Sequence, residues 1–342
     1  MLALASIYEH TNSSAAFKYY DEAGVTEPYA LFKLGDFMEK GLTYEQQFRG
    51  KPQPGFALGY YQRAAKLSGV SIEAYNKLGE YYQKGIALPK DIGAAIRRYE
   101  EAAVYGHILA MNALGSLYYN DMGDFEQATE WFKKASDKGC ERSQNNLGTC
   151  YEFGHGVEKN RDMAYQLYKE SADKGFLLAM VNLAHLTLEN GIYNRQTSQF
   201  VESAKWFRKL TMLDPGMPDP FYNLGKIHEH GLGCERDLKG AYMYYKKAAK
   251  LNHAEAISKC GDFLYSGKVT GGVGDKTQAQ RCYQKAADLG CPQAMNNLAL
   301  MLESEQPTEA FSLYKQSHKL GNLDATVNLA YCLIRVRTQP PR

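Results

Sequence analysis

The sequence repeats itself at a spacing that is most often 36 residues, and this periodicity constrains the fold more than any other feature. A small residue lies four positions before a leucine that glycine or alanine follows, as at Ser143 and Leu147-Gly148. The spacing of four places these residues on one face of a helix, which we term helix A. The signature begins at Ala30, Ala74, Ala110, Ser143, Ala179, Pro220, Ala256, Ala294 and Ala325.

A second signature lies between successive copies of the first. It consists of an alanine, usually four positions before an aromatic residue, and then a small residue, as in Ala241, Tyr245 and Ala248. This spacing also follows one helical face, and we term the segment helix B. The aromatic residues are Tyr20, Tyr61, Tyr99, Phe132, Tyr168, Phe207, Tyr245, Tyr283 and Tyr314.

Glycine and capping residues mark the helix ends. Gly154-His155-Gly156-Val157 allows a tight turn between helix A and helix B. The side chains of Asn160 and Asp237 are placed to cap helix B, as are those of Asp91, Asp124 and Asp275. Glycines suited to a left-handed C-terminal cap end several B helices, at Gly106, Gly139, Gly175, Gly290 and Gly321.

One such helix pair cannot cover its own apolar face, so several pairs must stack into a continuous core. The small residue after the leucine should let helix B of the same repeat approach closely. The sequence therefore predicts an all-α solenoid of about nine antiparallel helix pairs, with ten A and nine B helices, that forms a right-handed superhelix with a concave inner wall. We expect one repeat domain over residues 1–342, with a partial repeat over 1–26, full repeats over 27–321, and an unpaired A helix and tail over 322–342.

The combined pattern resembles the Sel-one-like repeat family, a relative of the tetratricopeptide repeat. The resemblance covers residues 3–333 and is closest at 147–175 and 224–252, whereas 42–55 and 191–200 look like insertions in the A-to-B link. It implies an adaptor or scaffold that assembles protein complexes.

Composition excludes several other classes. The net charge is +2, from 40 basic and 38 acidic side chains, which gives no electrostatic reason to expect nucleic acid or an anionic membrane as a partner. No apolar run is long enough to span a membrane. Seven irregularly spaced cysteines without a C-x-x-C favour reduced thiols and a cytoplasmic protein. The alternative is a secretory-pathway lumen, if an upstream signal lies outside this chain.

The motifs for chemistry are weak. His228-Glu229-His230 with Cys234 resembles a metal cluster, but residues two apart on a helix point to opposite faces. Gly271-Gly272-Val273-Gly274 lacks the lysine and the preceding strand of a phosphate loop. We therefore expect no enzyme, no metal and no cofactor.

One set of polar residues is a candidate partner-binding site. The residue just before the A-helix leucine lies at the edge of the core, and it is often asparagine or lysine. In the related tetratricopeptide repeat this edge faces the groove, where asparagine binds a peptide backbone. The alternative is a helix–helix hydrogen bond that fixes the stacking angle, and the sequence leaves both open. The candidates are Asn146, Asn182, Asn223, Asn297, Asn328, Lys33, Lys77 and Lys259.

The sequence thus predicts a protein–protein interaction scaffold that binds partner proteins on its curved surface. A second hypothesis is a non-catalytic structural subunit of a large assembly. A third is the regulatory or substrate-recognition region of a larger enzyme complex, such as one in protein quality control. In all three the partners are other proteins, without nucleic acid and without membrane insertion.

Overall fold

A computed structural model describes residues 1–24, 26–42, 50–67, 71–269 and 271–338, the last four of these without their side chains. Throughout these ranges the regular secondary structure is helical, without a strand. The chain divides into two compact units, Met1–Phe176 and Leu177–Arg342. The all-α repeat fold is therefore confirmed, while a single domain and the right-handed superhelix remain predictions.

The first unit contains five helix pairs, in which A and B helices alternate. Its A helices are α1 (Leu2–Tyr8), α3 (Pro28–Lys40), α5 (Ile72–Lys84), α7 (Ile108–Leu117) and α9 (Glu141–Phe153). Its B helices are α2 (Ser13–Ala23), α4 (Pro54–Lys66), α6 (Ile92–Val104), α8 (Phe125–Asp137) and α10 (Arg161–Asp173). A π-helical turn, Tyr118–Met122, extends α7.

The second unit contains four pairs and a final A helix. Its A helices are α11 (Leu177–Asn194), α13 (Pro218–His230), α15 (Ala254–Tyr265), α17 (Pro292–Leu302) and α19 (Leu323–Thr338). Its B helices are α12 (Thr197–Leu213), α14 (Leu238–Lys250), α16 (Lys276–Asp288) and α18 (Pro307–Lys319). The described residues thus hold the ten A and nine B helices that the repeat predicts.

The repeat signatures form the core. Leu147 is 5% exposed, and Tyr168, Leu224 and Tyr245 are fully buried, as their spacing predicts. The small residues of both signatures are buried with them, Ala164 and Ala241 among these. The apolar face of each helix is therefore the face that the periodicity identifies.

A glycine on helix A and an aromatic ring on helix B define how closely the two helices pack. A methyl group on Gly148 would lie 2.8 Å from the Tyr168 ring, closer than side chains approach in proteins. Any larger residue would therefore push helix B away from helix A. The same contact recurs between Gly35 and Tyr61, Gly79 and Tyr99, Gly115 and Phe132, Gly225 and Tyr245, and Gly261 and Tyr283.

The predicted caps are also present. Asn160 accepts the backbone N–H of Met163 at 3.0 Å, and Asp237 accepts that of Gly240 at 2.9 Å. Asp91, Asp124 and Asp275 cap α6, α8 and α16 in the same way. The five glycines that follow B helices all have positive φ angles. Local sequence therefore sets where each helix begins and ends.

The structure describes one of the two predicted insertions in full and the other in part. Residues 191–200 are not simply a longer loop, because α11 and α12 continue into them and reach 18 and 17 residues. Gly191 lies against the Phe200 ring, so a glycine–aromatic contact holds the extended ends of these two helices together. Of the other insertion, residues 43–49 lie outside the described residues.

Leu147→Ala should cost about 2–5 kcal/mol of unfolding free energy, because it leaves a cavity in a tightly packed core. In an array of nearest-neighbour contacts, the loss should first loosen α9 and the helices packed against it. Hydrogen exchange measured by mass spectrometry checks this, with Leu178→Ala as the control because Leu178 is 52% exposed. Unchanged exchange in α9 would mean that the repeat register is wrong.

Protonation of His107 should destabilise α7. The Nδ1 atom of His107 accepts the backbone N–H of Ala110 at 3.1 Å and caps the helix. Burial lowers the pKa of His107, so the folded state favours the neutral ring. The contribution of His107 is therefore complete above its unfolded pKa of about 6.5 and is lost as the pH falls through the lower folded value.

The test compares urea unfolding at about pH 7.5 and about pH 5.5 for the natural chain and for His107→Asn, whose side chain caps without a titrating nitrogen. We expect the natural chain to lose about 1 kcal/mol more than the variant over this interval, the typical value of a cap. Equal losses would contradict the capping role.

Candidate functional site

The eight candidate residues lie on the A helices, beside the buried leucines. Seven of them are half-buried, whereas Asn223 is only 3% exposed. Within each unit, we term the surface formed by these candidates and by the first and fourth residues after the glycine or alanine that follows the A-helix leucine position the A-helix face. In the second unit, α15 contacts α17, and α17 contacts α19.

Four candidates donate to a carboxylate on the preceding A helix, and the same carboxylate accepts the hydroxyl of a buried tyrosine. We term this arrangement a carboxylate bridge. Glu39, for example, accepts the Tyr61 hydroxyl at 3.1 Å and the Lys77 ammonium at 2.9 Å. The other bridges join Glu9 to Tyr20 and Lys33, Glu229 to Tyr245 and Lys259, and Asp262 to Tyr283 and Asn297.

The Glu229 bridge illustrates the electrostatics of a lysine donor. Its carboxylate accepts the Tyr245 hydroxyl at 2.6 Å and lies 3.4 Å from the Lys259 ammonium. Burial alone raises the pKa of Glu229, but the Tyr245 hydrogen bond and the Lys259 charge outweigh it and hold the pKa below its usual value. Burial and this carboxylate raise the pKa of Tyr245, which stays a donor.

The Asp262 bridge has a neutral donor instead. Its carboxylate accepts Tyr283 at 2.8 Å and Asn297 at 3.0 Å. Burial raises the pKa of Asp262 above its usual value despite these two hydrogen bonds. The Asp262 carboxylate therefore holds its negative charge less firmly than the Glu229 carboxylate does.

Three other candidates make different contacts. Asn146 donates to Asn112 of α7 at 3.3 Å, and Asn328 donates to Asn296 of α17 at 2.9 Å. Asn223 donates to Asp219 within its own helix at 2.9 Å. The helix–helix hydrogen bond that the sequence left as an alternative is thus present at Asn146, Asn297, Asn328 and the three lysines. The remaining candidate, Asn182, is half-buried on α11.

The tyrosine and the carboxylate occur together, and sequence reasoning missed this. In seven repeats helix B has tyrosine at its aromatic position, and helix A has an acid at the first or fourth position after the glycine or alanine that follows its leucine position. In the two repeats with Phe132 and Phe207, neither position is acidic. This correlation can be found in the sequence alone. A buried tyrosine hydroxyl needs a hydrogen-bond partner, whereas a phenylalanine ring does not.

The residues of the weak metal-like motif make structural contacts within the repeat. The ring of His228 stacks on Tyr244 at 5.3 Å between ring centres, while Glu229 forms its carboxylate bridge. In the part of the chain that the structure describes, no group of three His, Cys, Asp or Glu residues is arranged to hold a metal ion. The same described part contains no helix long and apolar enough to cross a membrane.

A pocket of about 190 Å³ opens on the A-helix face between α7 and α9. The residues that line it are Ser116, Tyr119, Asn120, Phe132, Asn146 and Thr149. The Tyr119 hydroxyl lies 2.6 Å from Nδ1 of His155 in the next repeat. This pocket borders the π-helical turn, a local distortion that is frequent at functional sites.

Comparison with known sequences identifies the repeat. The Sel1 repeat matches eight segments: residues 28–69, 72–103, 108–140, 142–176, 177–214, 222–253, 254–291 and 292–322. Each segment holds one A and one B helix. The additional pair α1–α2 lies outside these segments and has the same A–B order.

Two fungal relatives carry regulatory names. The chain is 26% identical over 298 residues to chitin synthase regulatory factor 3 of Schizosaccharomyces pombe, covering 83% of this chain and 30% of that protein. It is 26% identical over 216 residues to the Saccharomyces cerevisiae chitin synthase regulator SKT5, covering 62% and 29%. The chain thus spans less than a third of the length of these relatives.

Two solved structures share the fold. The protective antigen c5321 of uropathogenic Escherichia coli matches with a TM-score of 0.76 at 23% identity, over 93% of this chain and 67% of that chain. A Sel1 repeat protein from Oxalobacter formigenes matches with a TM-score of 0.66 at 22% identity, over 92% and 88%. At these low sequence identities, the comparison with solved structures shows a shared fold alone.

Tyr245→Phe should destabilise the chain by about 1.5–3 kcal/mol, the value of a hydrogen bond to a charged group. It should also raise the pKa of Glu229, because the Tyr245 hydroxyl lowers that pKa in the natural chain. Carbon-detected NMR titration of the glutamate carboxyls measures this shift. Tyr244→Phe removes a hydroxyl from the preceding residue and should leave the pKa unchanged. An unchanged Glu229 pKa in Tyr245→Phe would refute the carboxylate bridge.

Proposed function

Because the chain belongs to the Sel1 repeat family, we propose that it is an adaptor that binds partner proteins on its A-helix face. The observation that carries this proposal is the regular supply of polar groups on that face. Each carboxylate bridge leaves half-buried donors and acceptors at the surface, and neighbouring repeats offer them at corresponding positions. An extended partner segment offers backbone groups at regular intervals and suits such a surface.

The candidate asparagines contribute to this surface in two ways. An asparagine side chain has two N–H groups, so a hydrogen bond to the neighbouring helix leaves the second for a partner. This applies to Asn146, Asn297 and Asn328, which are half-buried. Asn223 is buried, so we assign it mainly to stacking. The lysines hold the bridges that shape the surface.

The relatives support a regulatory form of this function. Both fungal proteins are named for regulating chitin synthase, and this chain aligns with only part of each. An adaptor that brings a partner to an enzyme, or holds a regulator against it, is consistent with those names. We therefore propose a regulatory adaptor, with no chemistry in the repeats themselves.

A second candidate function is a permanent structural subunit of a large assembly. It is favoured by apolar side chains at the extended ends of α11 and α12, where Ile192 is 60%, Tyr193 85% and Val201 51% exposed. Exposed apolar groups of this kind mark contact surfaces when they lie together. In this case a partner would remain bound through α11 and α12 rather than through the A-helix face.

Site-specific photocrosslinking tests the proposed surface. A benzophenone amino acid is placed at Tyr265 on A helix α15, which is 48% exposed, and at Met243 on B helix α14, which is 63% exposed. We expect partners to be captured at Tyr265 and much less at Met243. A third position, Tyr193, tests the structural-subunit alternative. Capture at Met243 or Tyr193 without capture at Tyr265 would refute binding on the A-helix face.

A further inference from the structure

The α7–α8 repeat has no acidic residue at either position that forms a carboxylate bridge, although an asparagine that could donate to such a carboxylate is present on α9. The Asp262 bridge serves as a template, with the acid directly after Gly261, Tyr283 on helix B and Asn297 on the next helix A. The corresponding residues here are Ser116, Phe132 and Asn146. Loss of the acid and of the hydroxyl leaves the pocket of about 190 Å³ at this position. That volume corresponds to several water molecules at about 30 Å³ each.

The α11–α12 repeat also has phenylalanine at the aromatic position of helix B, and its carboxylate comes from the next A helix. In α11–α12, His185 follows Ala184, and Asp219 of the next A helix supplies the carboxylate. The Asp219 oxygens lie 2.8 Å from His185 and 2.9 Å from Asn223. The residue of α9 that corresponds to Asp219 is Arg142. The α7–α9 position therefore carries a cation where its counterpart carries an anion.

The groups around the pocket are suited to an anion. The hydroxyl hydrogens of Ser116 and Thr149 are already donated to backbone carbonyls of their own helices at 3.0 and 3.2 Å, so the donors for an anion are amide and guanidinium groups. Asn146 uses one N–H on Asn112 and keeps a second, while Asn120 is exposed. Arg142 is exposed one helical turn before Asn146. Amide donors beside a guanidinium bind a carboxylate with charge-assisted hydrogen bonds.

An aromatic surface continues the same face of α9. Arg142, Asn146, Thr149 and Phe153 follow one another at spacings of four, three and four residues, which places them in one row. Phe153 is 59% exposed, and its ring stacks near His155 at 5.9 Å between centres. From Arg142 to Phe153 the row is about 16 Å long. An extended segment of about five residues covers that length.

We propose that this row binds an extended segment of a partner protein whose acidic side chain enters the α7–α9 pocket and whose apolar side chain packs on Phe153. The partner's carboxylate then forms the bridge that this repeat cannot form from its own residues. The inference rests on the proposed function, since it names the chemistry of a partner on the A-helix face.

Selection from a library of short random peptides displayed on phage, with the full chain as target, tests the proposal. We expect selected peptides to share an acidic residue and, a few positions away, an apolar one. Replacing that acid by its amide should weaken a synthetic peptide roughly tenfold or more, as expected for hydrogen bonds to a charged group. Peptides that share no acid, or that bind equally as amides, would overturn the proposal.

Pocket variants separate this site from the rest of the face. Ser116→Asp with Phe132→Tyr copies the Asp262 bridge, so it should fill the pocket, keep or raise the melting temperature and abolish binding of the acidic peptides. Arg142→Glu changes an exposed residue and should weaken binding, whereas the matched charge reversal Lys239→Glu on exposed Lys239 of α14 should not. Unchanged binding in the filled-pocket variant would overturn the proposal.

The same selection distinguishes failure of this inference from failure of the proposed function. Peptides that lose binding with Asn297→Ala or Lys259→Ala, but not with the filled pocket, would overturn the pocket and leave the A-helix face as the binding surface. A library that yields no peptide sensitive to any A-helix variant would overturn both.

Discussion

In six helix pairs, the contact between a glycine on helix A and an aromatic ring on helix B determines how closely the two helices pack. A methyl group at Gly148 or Gly225 would overlap the ring of Tyr168 or Tyr245, so the two backbones approach as closely as a ring allows. The ring then reaches past the A-helix backbone, and its hydroxyl emerges among the carboxylates of the A-helix face. The same tyrosine side chain thus packs its ring in the core and forms a hydrogen bond through its hydroxyl at the surface. The position of the A-helix face therefore depends on the packing of the core.

The carboxylate bridges connect that core to the neighbouring repeats. Glu229 receives one donor from helix B of its own repeat and another from helix A of the next. Both donors help to offset the cost of burying this half-buried carboxylate. A partner that hydrogen-bonds to this face therefore contacts groups that also hold the stack together, and its binding is coupled to the stacking of adjacent repeats.

The sequence allowed the helices, their caps, the buried leucines and the close approach of helix B to helix A to be predicted, because each depends on spacing within one repeat. The partners of the candidate residues were harder to predict, since Lys77 and Glu39 belong to different repeats and only the fold brings them together. Residues 191–200 were mistaken for a link because a longer helix and a longer loop both insert residues at the same place. No local sequence pattern predicted the π-helical turn after α7. The absence of an acid at Ser116 and Tyr119 nevertheless distinguishes this repeat in the sequence.

The carboxylate bridge also gives the array an order. In each of the four bridges the acceptor belongs to one repeat and the lysine or asparagine donor to the repeat that follows, so two such repeats are compatible in one order and not in the reverse order. If the α7–α8 pair were recombined behind α14, Ala113 would face Glu229 in place of Lys259, and the carboxylate would lose its cation. A duplicated repeat would therefore keep its bridges only beside a compatible neighbour, which favours some orders of repeats along the gene over others.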